Sequence, residues 1–423
     1  MNIFFDKIRH LFQDKTLRNR IFFVLGALVV FRLMAAIPIP GINQQALANF
    51  LNGNQFFGLL NIFSGGGLST LSIVMIGVGP YITASIIMQL LTMMSTRLKE
   101  MYQENGEAGR KKFSQYTRII TVPLALVQAF GFIVLLERQG IVAHLGTFDI
   151  LRNVIVIVGG SILLMWIGEL MTEFGIGNGL SMIIFAGIVS RIPQAIGQLR
   201  VIYDPSQLPT YIALVVAAVL IIYAVVFITE AERPIPVTYA KQVRGGKMYG
   251  GTSTYLPLRL NQAGVIPIIF ALSILLLPQM VFNLLSYVHN PLISSISQAI
   301  TSFLNNPWYY ATAYFILVFL FTFFYTAVTF DPHAIATNLQ KNGAFVPGVR
   351  PGDPTVMYLS KVVTRITLVG ALFLGIIAVL PPLVHAFTGI QAITIGGTAL
   401  LIVVSVVIDI IKKIDAQLSM REY

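Results

Sequence analysis

Ten apolar runs, each roughly 17 to 25 residues long, dominate this chain; runs of that length match the thickness of a bilayer's hydrocarbon core. They lie near 21–37, 71–94, 118–136, 153–171, 180–198, 210–229, 261–285, 308–329, 362–386 and 394–411. Inside lipid each must be a helix, because backbone groups there have no water to pair with. A water-soluble reading fails on surface chemistry. Of the 423 residues 56% are hydrophobic and 11% charged, where soluble domains carry about 25% charged residues. The sequence predicts an all-α polytopic membrane protein.

Charge placement orients it. All but five of the 28 Lys and Arg fall on one side when the N-terminus and every second loop are assigned to a single face. The exceptions are Arg138, Arg152, Arg191 and Arg200 on the opposite face, and Arg32 inside the first run. Basic residues stay in the cytoplasm, so both termini are expected there. The basic residues 1–20 followed by an apolar stretch also resemble a secretory leader, but no small-residue cleavage site follows. Retention of the first span is therefore expected.

Ten spans divide into five and five, and an odd number per half inserts the second half upside down, which is the arithmetic of an inverted repeat. The expected division is a cytoplasmic segment, 1–20, an N-terminal half, 21–209, a C-terminal half, 210–411, and a cytoplasmic tail, 412–423. The C-terminal half carries large cytoplasmic loops at 230–260 and 330–361. No strong self-similarity between the halves is visible at residue level, and any ten spans divide this way.

Several stretches depart from plain spanning helix. No Asp, Glu, Lys or Arg occurs between Arg32 and Arg97. Within that interval Phe56–Leu71 is apolar, too short to cross, and broken by Gly65, Gly66 and Gly67, which supply backbone freedom for a turn. A re-entrant segment fits, and so does an amphipathic surface loop. Pro80 within Gly77-Val78-Gly79-Pro80 predicts a kink in the second span. Val78 and Ile82 share a helix face, which alone is an ordinary apolar stripe. Gln89, Thr92, Gln128, Asn261 and Gln262 are uncharged polar groups within spans, able either to glue helices or to hold a releasable seam. Outside the spans, 235–257 alternates like a β-hairpin around Arg244-Gly245-Gly246-Lys247, and 338–354 is rich in turn formers and presents Lys341 and Arg350. Basic tips of this kind suit an acidic protein surface or RNA phosphate.

Other chemistries find little support. Cysteine is absent, the five histidines are scattered, and no phosphate-binding G-x-x-x-x-G-K-[ST] or zinc-binding H-E-x-x-H occurs. Neither a cofactor nor a metal is expected. Glu169, Arg191, Arg365 and Asp409 sit near span ends, where long side chains reach the interface. Ion-coupled carriers keep charges inside spans, and this chain has few, which weighs against its alternative, an inverted-repeat secondary transporter of small solutes.

Seven blocks carry a resemblance. Pro38-Ile39-Pro40-Gly41-Ile42, SIVMIGVGPYITASIIMQLL from Ser72, GIGNGLSMIIFAGIV from Gly175, NQAGVIPIIFA from Asn261, FVPGVRPG from Phe345, TRITLVGAL from Thr364 and GGTALLIVV from Gly396 resemble the SecY family of bacterial protein-translocation channels, in order and over essentially the whole chain.

The resemblance implies two five-helix halves enclosing an hourglass pore. It places a constriction at Val78, Ile82, Ile184, Ile269 and Ile402, with Val78 standing where isoleucine is usual. It makes 57–68 a plug, with Phe57, Leu60, Ile62, Phe63, Gly65, Gly66, Gly67 and Leu68. It puts Thr92, Gln128 and Asn261 on a lateral gate between spans 2–3 and 7–8. Lys241, Arg244, Lys247 and Arg350 become docking residues for the SecA ATPase or a ribosome. The implied role is non-enzymatic: passage of unfolded signal-bearing polypeptides across the bacterial plasma membrane, and of membrane helices sideways into its lipid bilayer, with SecE-like and SecG-like small membrane subunits as partners.

Overall fold

A computed structural model describes residues 14–39, 47, 64–103, 106–138, 140–142, 146–190, 192–193, 197, 208–239, 242–244, 247–249, 253–285, 295–296, 298–300, 302–303, 306–388 and 397–419. Every apolar run carries a helix. The first half contains α1 (Lys15–Ala36), α2 (Gly79–Met94), the short α3 (Thr96–Gln103), α4 (Gly106–Arg138), α5 (Thr147–Phe174) and α6 (Gly179–Val189). The second contains α7 (Leu208–Glu230), α8 (Ile266–Leu285), α9 (Pro307–Thr329), α10 (Pro332–Lys341), α11 (Asp353–Thr388) and α12 (Gly397–Ser419). Among the described residues, 6 helical stretches are long and apolar enough to cross a membrane, while α2 and α6 are shorter apolar helices.

Helix starts follow local chemistry. Asp14 caps α1, its carboxylate accepting from the Thr16 N–H at 2.8 Å, so one of the unpaired first-turn donors is satisfied. Asn178 caps α6 in the same way, accepting from Leu180 and Ser181. Asp331 does so for α10.

One expectation is corrected. The kink at Pro80 does not occur: α2 begins at Gly79 and Pro80 sits in its first turn, where the missing N–H interrupts no hydrogen bond. The preceding 71–78 run as successive turns, with Met75 N–H on the Ser72 carbonyl at 2.9 Å and Gly77 N–H on the Val74 carbonyl at 2.8 Å. Ser161 of α5 pins them by donating its hydroxyl to the Gly77 carbonyl at 2.8 Å. In the fifth run α6 ends at Val189, where Ser190 caps it.

Each half is a packed set. α4 lies on α2 and α5, α5 on α1 and α6; across the second half α9 lies on α8 and α11, and α12 on α11 and α7. The halves meet along two seams, α8 against α2 and α4 on one side and α12 against α6 on the other. Lipid tails are as apolar as these side chains, so association here rests on close packing rather than on expulsion of water. Glu169, read from the sequence as sitting near a span end, is paired: the Arg118 Nε donates to its carboxylate at 2.8 Å, and Ser114 Oγ lies at 3.5 Å.

The polar connections build a small β module. β1 (Glu232–Tyr239) pairs antiparallel with β4 (Ser253–Arg259), from Glu232 opposite Arg259 to Thr238 opposite Ser253. Between them β2 (Gln242–Arg244) and β3 (Lys247–Tyr249) form the predicted hairpin, with Arg244 opposite Lys247. The free edge of β1 takes up β5 (Ala344–Phe345), from the other large loop, so the two loops are one body. Ile235, Leu258 and Val346 form a buried core with Leu359, Val362, Val363 and Ile366 of α11, separate from the main cluster of the helices.

Candidate functional site

The five constriction candidates arrive from four places in the chain. Val78 caps the start of α2, Ile82 stands one turn into it, and Ile184, Ile269 and Ile402 come from α6, α8 and α12. All five are buried and belong to one continuous apolar cluster fed by both halves. Aliphatic side chains offer no hydrogen bonds to water or ions, and apolar constrictions in general dewet.

Against that cluster lies the glycine segment. Leu68 is wholly buried within it. Gly65 and Gly66 adopt φ of +65° and +86°, left-handed values that cost a glycine little. Closing bonds run from Gly67 N–H to the Ser64 carbonyl at 3.2 Å and from Leu68 N–H to Ser64 Oγ at 3.1 Å. Gly65 is wedged: a Cβ on it would strike the ring of Phe31 in α1, and a Cβ on Gly187 of α6 would strike the Cα of Gly65. Arg32 of α1 donates from Nη1 to the Gly65 carbonyl at 3.0 Å. The remaining segment candidates, Phe57, Leu60, Ile62 and Phe63, lie outside the described residues.

The three seam candidates are buried but not joined to one another. Thr92 donates to the Gln89 carbonyl at 2.6 Å, within its own helix. Asn261 donates to the Gly264 carbonyl at 3.2 Å within the turn that leads into α8, and its Oδ1 is buried without a partner, as is the Oε1 of Gln89. Gln128 directs its Oε1 at Gly79, 3.9 Å from where a Cβ would stand. With α8 lying on α2 and α4, this seam is shut.

On the β module Arg350 is exposed, and Thr355 Oγ1 holds its carbonyl at 2.8 Å at the entry to α11. Arg244 and Lys247 face each other across the hairpin, whereas Lys241 lies outside the described residues. Sequence reading missed the fusion of the two loops. Its trace is Ala344-Phe345-Val346, a short apolar stretch between Gly343 and Pro347, too brief to register as a strand.

Helices enclosing an apolar cluster that both halves supply, a glycine turn leaning into it and a basic module outside define a polytopic membrane channel protein. Comparison with known proteins narrows the class. The family model for SecY matches residues 72–411. The protein translocase subunit SecY of Mycobacterium bovis is 43% identical over 427 residues, covering 96% of each chain. That of Aquifex aeolicus is 41% identical over 428 residues, covering 99% of this chain and 98% of its own. The chain belongs to the SecY family, whose members are translocation-channel subunits and not recognised enzymes. Its fold is that of a solved protein-conducting channel, at a TM-score of 0.65 and 19% identity over 93% of this chain and 90% of the other. The Sec61 channel from a canine ribosome complex matches at 0.61 and 18% identity, with the same coverage.

Proposed function

We propose that this chain forms the pore through which unfolded, signal-bearing polypeptides cross the bacterial plasma membrane and from which apolar helices pass sideways into lipid. Val78, Ile82, Ile184, Ile269 and Ile402 are its constriction, an apolar collar that blocks ions at rest and fits a moving chain without binding any one sequence. The segment 57–68 is the plug, and Thr92, Gln128 and Asn261 line the seam that opens sideways. The halves 21–209 and 210–411 are the two jaws, joined to a leading segment, 1–20, and a tail, 412–423.

The termini and the β module face the cytoplasm, where the loop charges belong. There Lys241, Arg244, Lys247 and Arg350 receive a SecA-type ATPase or a ribosome, the partner in the canine Sec61 complex. The conduit itself performs no catalysis and takes its energy from that partner. SecE-like and SecG-like small membrane subunits complete it. One observation carries the reading: aliphatic residues from both halves merge into a single buried cluster, with the glycine turn folded against it. The solute-transporter alternative is not favoured, since the relatives are translocase subunits.

The test is reconstitution into liposomes with the small subunits and a SecA-type ATPase, scoring protease-protected uptake of a signal-bearing polypeptide. ATP-dependent protection that Arg350→Glu abolishes is expected. Absence of uptake by correctly inserted protein, with gradient-driven flux of a small solute, overturns the reading.

A further inference from the structure

Arg32 stands out because α1 otherwise offers lipid and core nothing but apolar surface at this depth. A guanidinium at a helix centre costs about 2.5 to 3.5 kcal/mol to insert, and less near an end. This one lies about one turn from the end of α1 at Ala36. Its side chain is exposed on the outside of the chain, so no interior packing depends on it. What it does touch is the Gly65 carbonyl, through Nη1 at 3.0 Å.

The segment it reaches is held unevenly. Downstream, residues 70–73 are laced to the end of α1 by backbone and hydroxyl bonds: Thr70 Oγ1 to the Ala35 carbonyl at 2.8 Å, Ile39 N–H to the Leu71 carbonyl at 2.9 Å, and Ile73 N–H to the Ile37 carbonyl at 3.1 Å. That stem does not involve Arg32. Nearer the glycines the backbone is easily rearranged, since Gly65 and Gly66 occupy left-handed conformations that glycine enters and leaves at little cost. Here the contact from α1 is a charge-assisted bond, about twice as strong as a neutral one. The geometry is that of a hinge with a fixed side and a latched side.

We infer that Arg32 is a positioning residue for the seal, latching the glycine turn against α1 and α6 through its hydrogen bond to Gly65. The inference rests on reading the adjoining segment as the plug. When the latch is released, the turn leaves Gly187 while the stem at 70–73 stays in place.

The complete reconstituted channel in planar bilayers, without motor or substrate, provides the test. Arg32→Met makes α1 more apolar, which favours insertion. It is expected to raise the resting open probability about tenfold, equivalent to about 1.4 kcal/mol. Arg32→Lys, still a charged donor, should remain sealed. In a channel lacking residues 57–67, which should itself leak, Arg32→Met should add nothing, a non-additivity that a merely structural role would not produce. Silence of Arg32→Met beside a leaking deletion overturns the latch alone, as does a Lys variant that leaks like Met or a further leak in the deletion background. A deletion that stays sealed overturns the plug reading and the latch with it.

Discussion

Gly187 in α6 and Gly65 in the glycine turn stand backbone to backbone: the place where a Cβ on Gly187 would sit is occupied by the Cα of Gly65. The helix and the glycine turn thus share a surface that admits no side chain on either partner. Contact this close gives the closed arrangement its fit and exposes it to any added volume.

Gly187→Val should therefore unseat the turn. Overpacking a tight contact costs typically about 1 to 3 kcal/mol, borne here by the closed state alone. Resting conductance of the reconstituted channel is expected to rise, with insertion unchanged. Gly159→Ala in α5 is the control, because nothing lies within 4 Å of its added methyl; conductance at the parental level is expected. A sealed Gly187→Val channel would show that the two backbones part without opening the pore.

Val346 offers a test of the β module. It follows β5, is almost wholly buried, and packs with Ile235 of β1 and Leu359 of α11. Val346→Asp puts an unpaired carboxylate into that core, at a cost of several kcal/mol. Detachment of β5 from β1 should make residues 330–350 sensitive to protease in membrane vesicles, and motor-driven uptake should fall at least tenfold with Arg350 untouched. Full uptake by a protease-sensitive variant would mean that docking does not need the fused loops.

The ten helices were legible because a length near 20 residues and the absence of charge are one-dimensional properties, and lipid leaves the backbone no alternative to a helix. The hairpin around Arg244 and Lys247 was legible for a similar reason, since its pairing is local. Relations made across the fold were not. Pro80 read as a kink because a sequence window cannot tell the middle of a span from its first turn, and residues 71–78 are apolar enough to pass for helix. Arg118 and Glu169 are separated along the chain by the length of two spans, so their pairing could not be seen. The union of β1 with β5 joins loops with two spans between them. Arg32 showed as an isolated charge, but its carbonyl partner on Gly65 has no sequence signature.

The Arg118–Glu169 pair joins α4 to α5 near the edge of the membrane, with the guanidinium about half exposed and the carboxylate mostly covered. Exposed pairs contribute roughly 0 to 1 kcal/mol, and this one should fall at the upper end. A double-mutant cycle with Arg118→Gln and Glu169→Gln, followed by thermal unfolding in detergent, is expected to give a coupling of about 0.5 to 1 kcal/mol. Zero coupling would reduce the pair to a surface contact.

The shut seam carries an internal cost that bears on its opening. Asn261 buries an acceptor, Oδ1, that finds no donor, and Gln89 does the same with Oε1. An unmet buried polar group costs about 1 to 3 kcal/mol. Asn261→Leu removes that cost and adds apolar contact but also loses the Nδ2 bond to the Gly264 carbonyl, so the closed seam should gain at most roughly 1 kcal/mol. The chain has no cysteine, so single cysteines introduced into α2 and α8 can be joined by a short bifunctional reagent without side reactions. Such a link should stop uptake altogether in the parent. In Asn261→Leu the link should form faster than in the parent, and unlinked uptake of a polypeptide with a weakly apolar signal should drop several-fold while a strongly apolar signal still passes. Equal linking rates in the two channels would show that the unpaired acceptor at Asn261 does not set the balance between shut and open, and full uptake through a linked seam would remove the lateral gate from the mechanism.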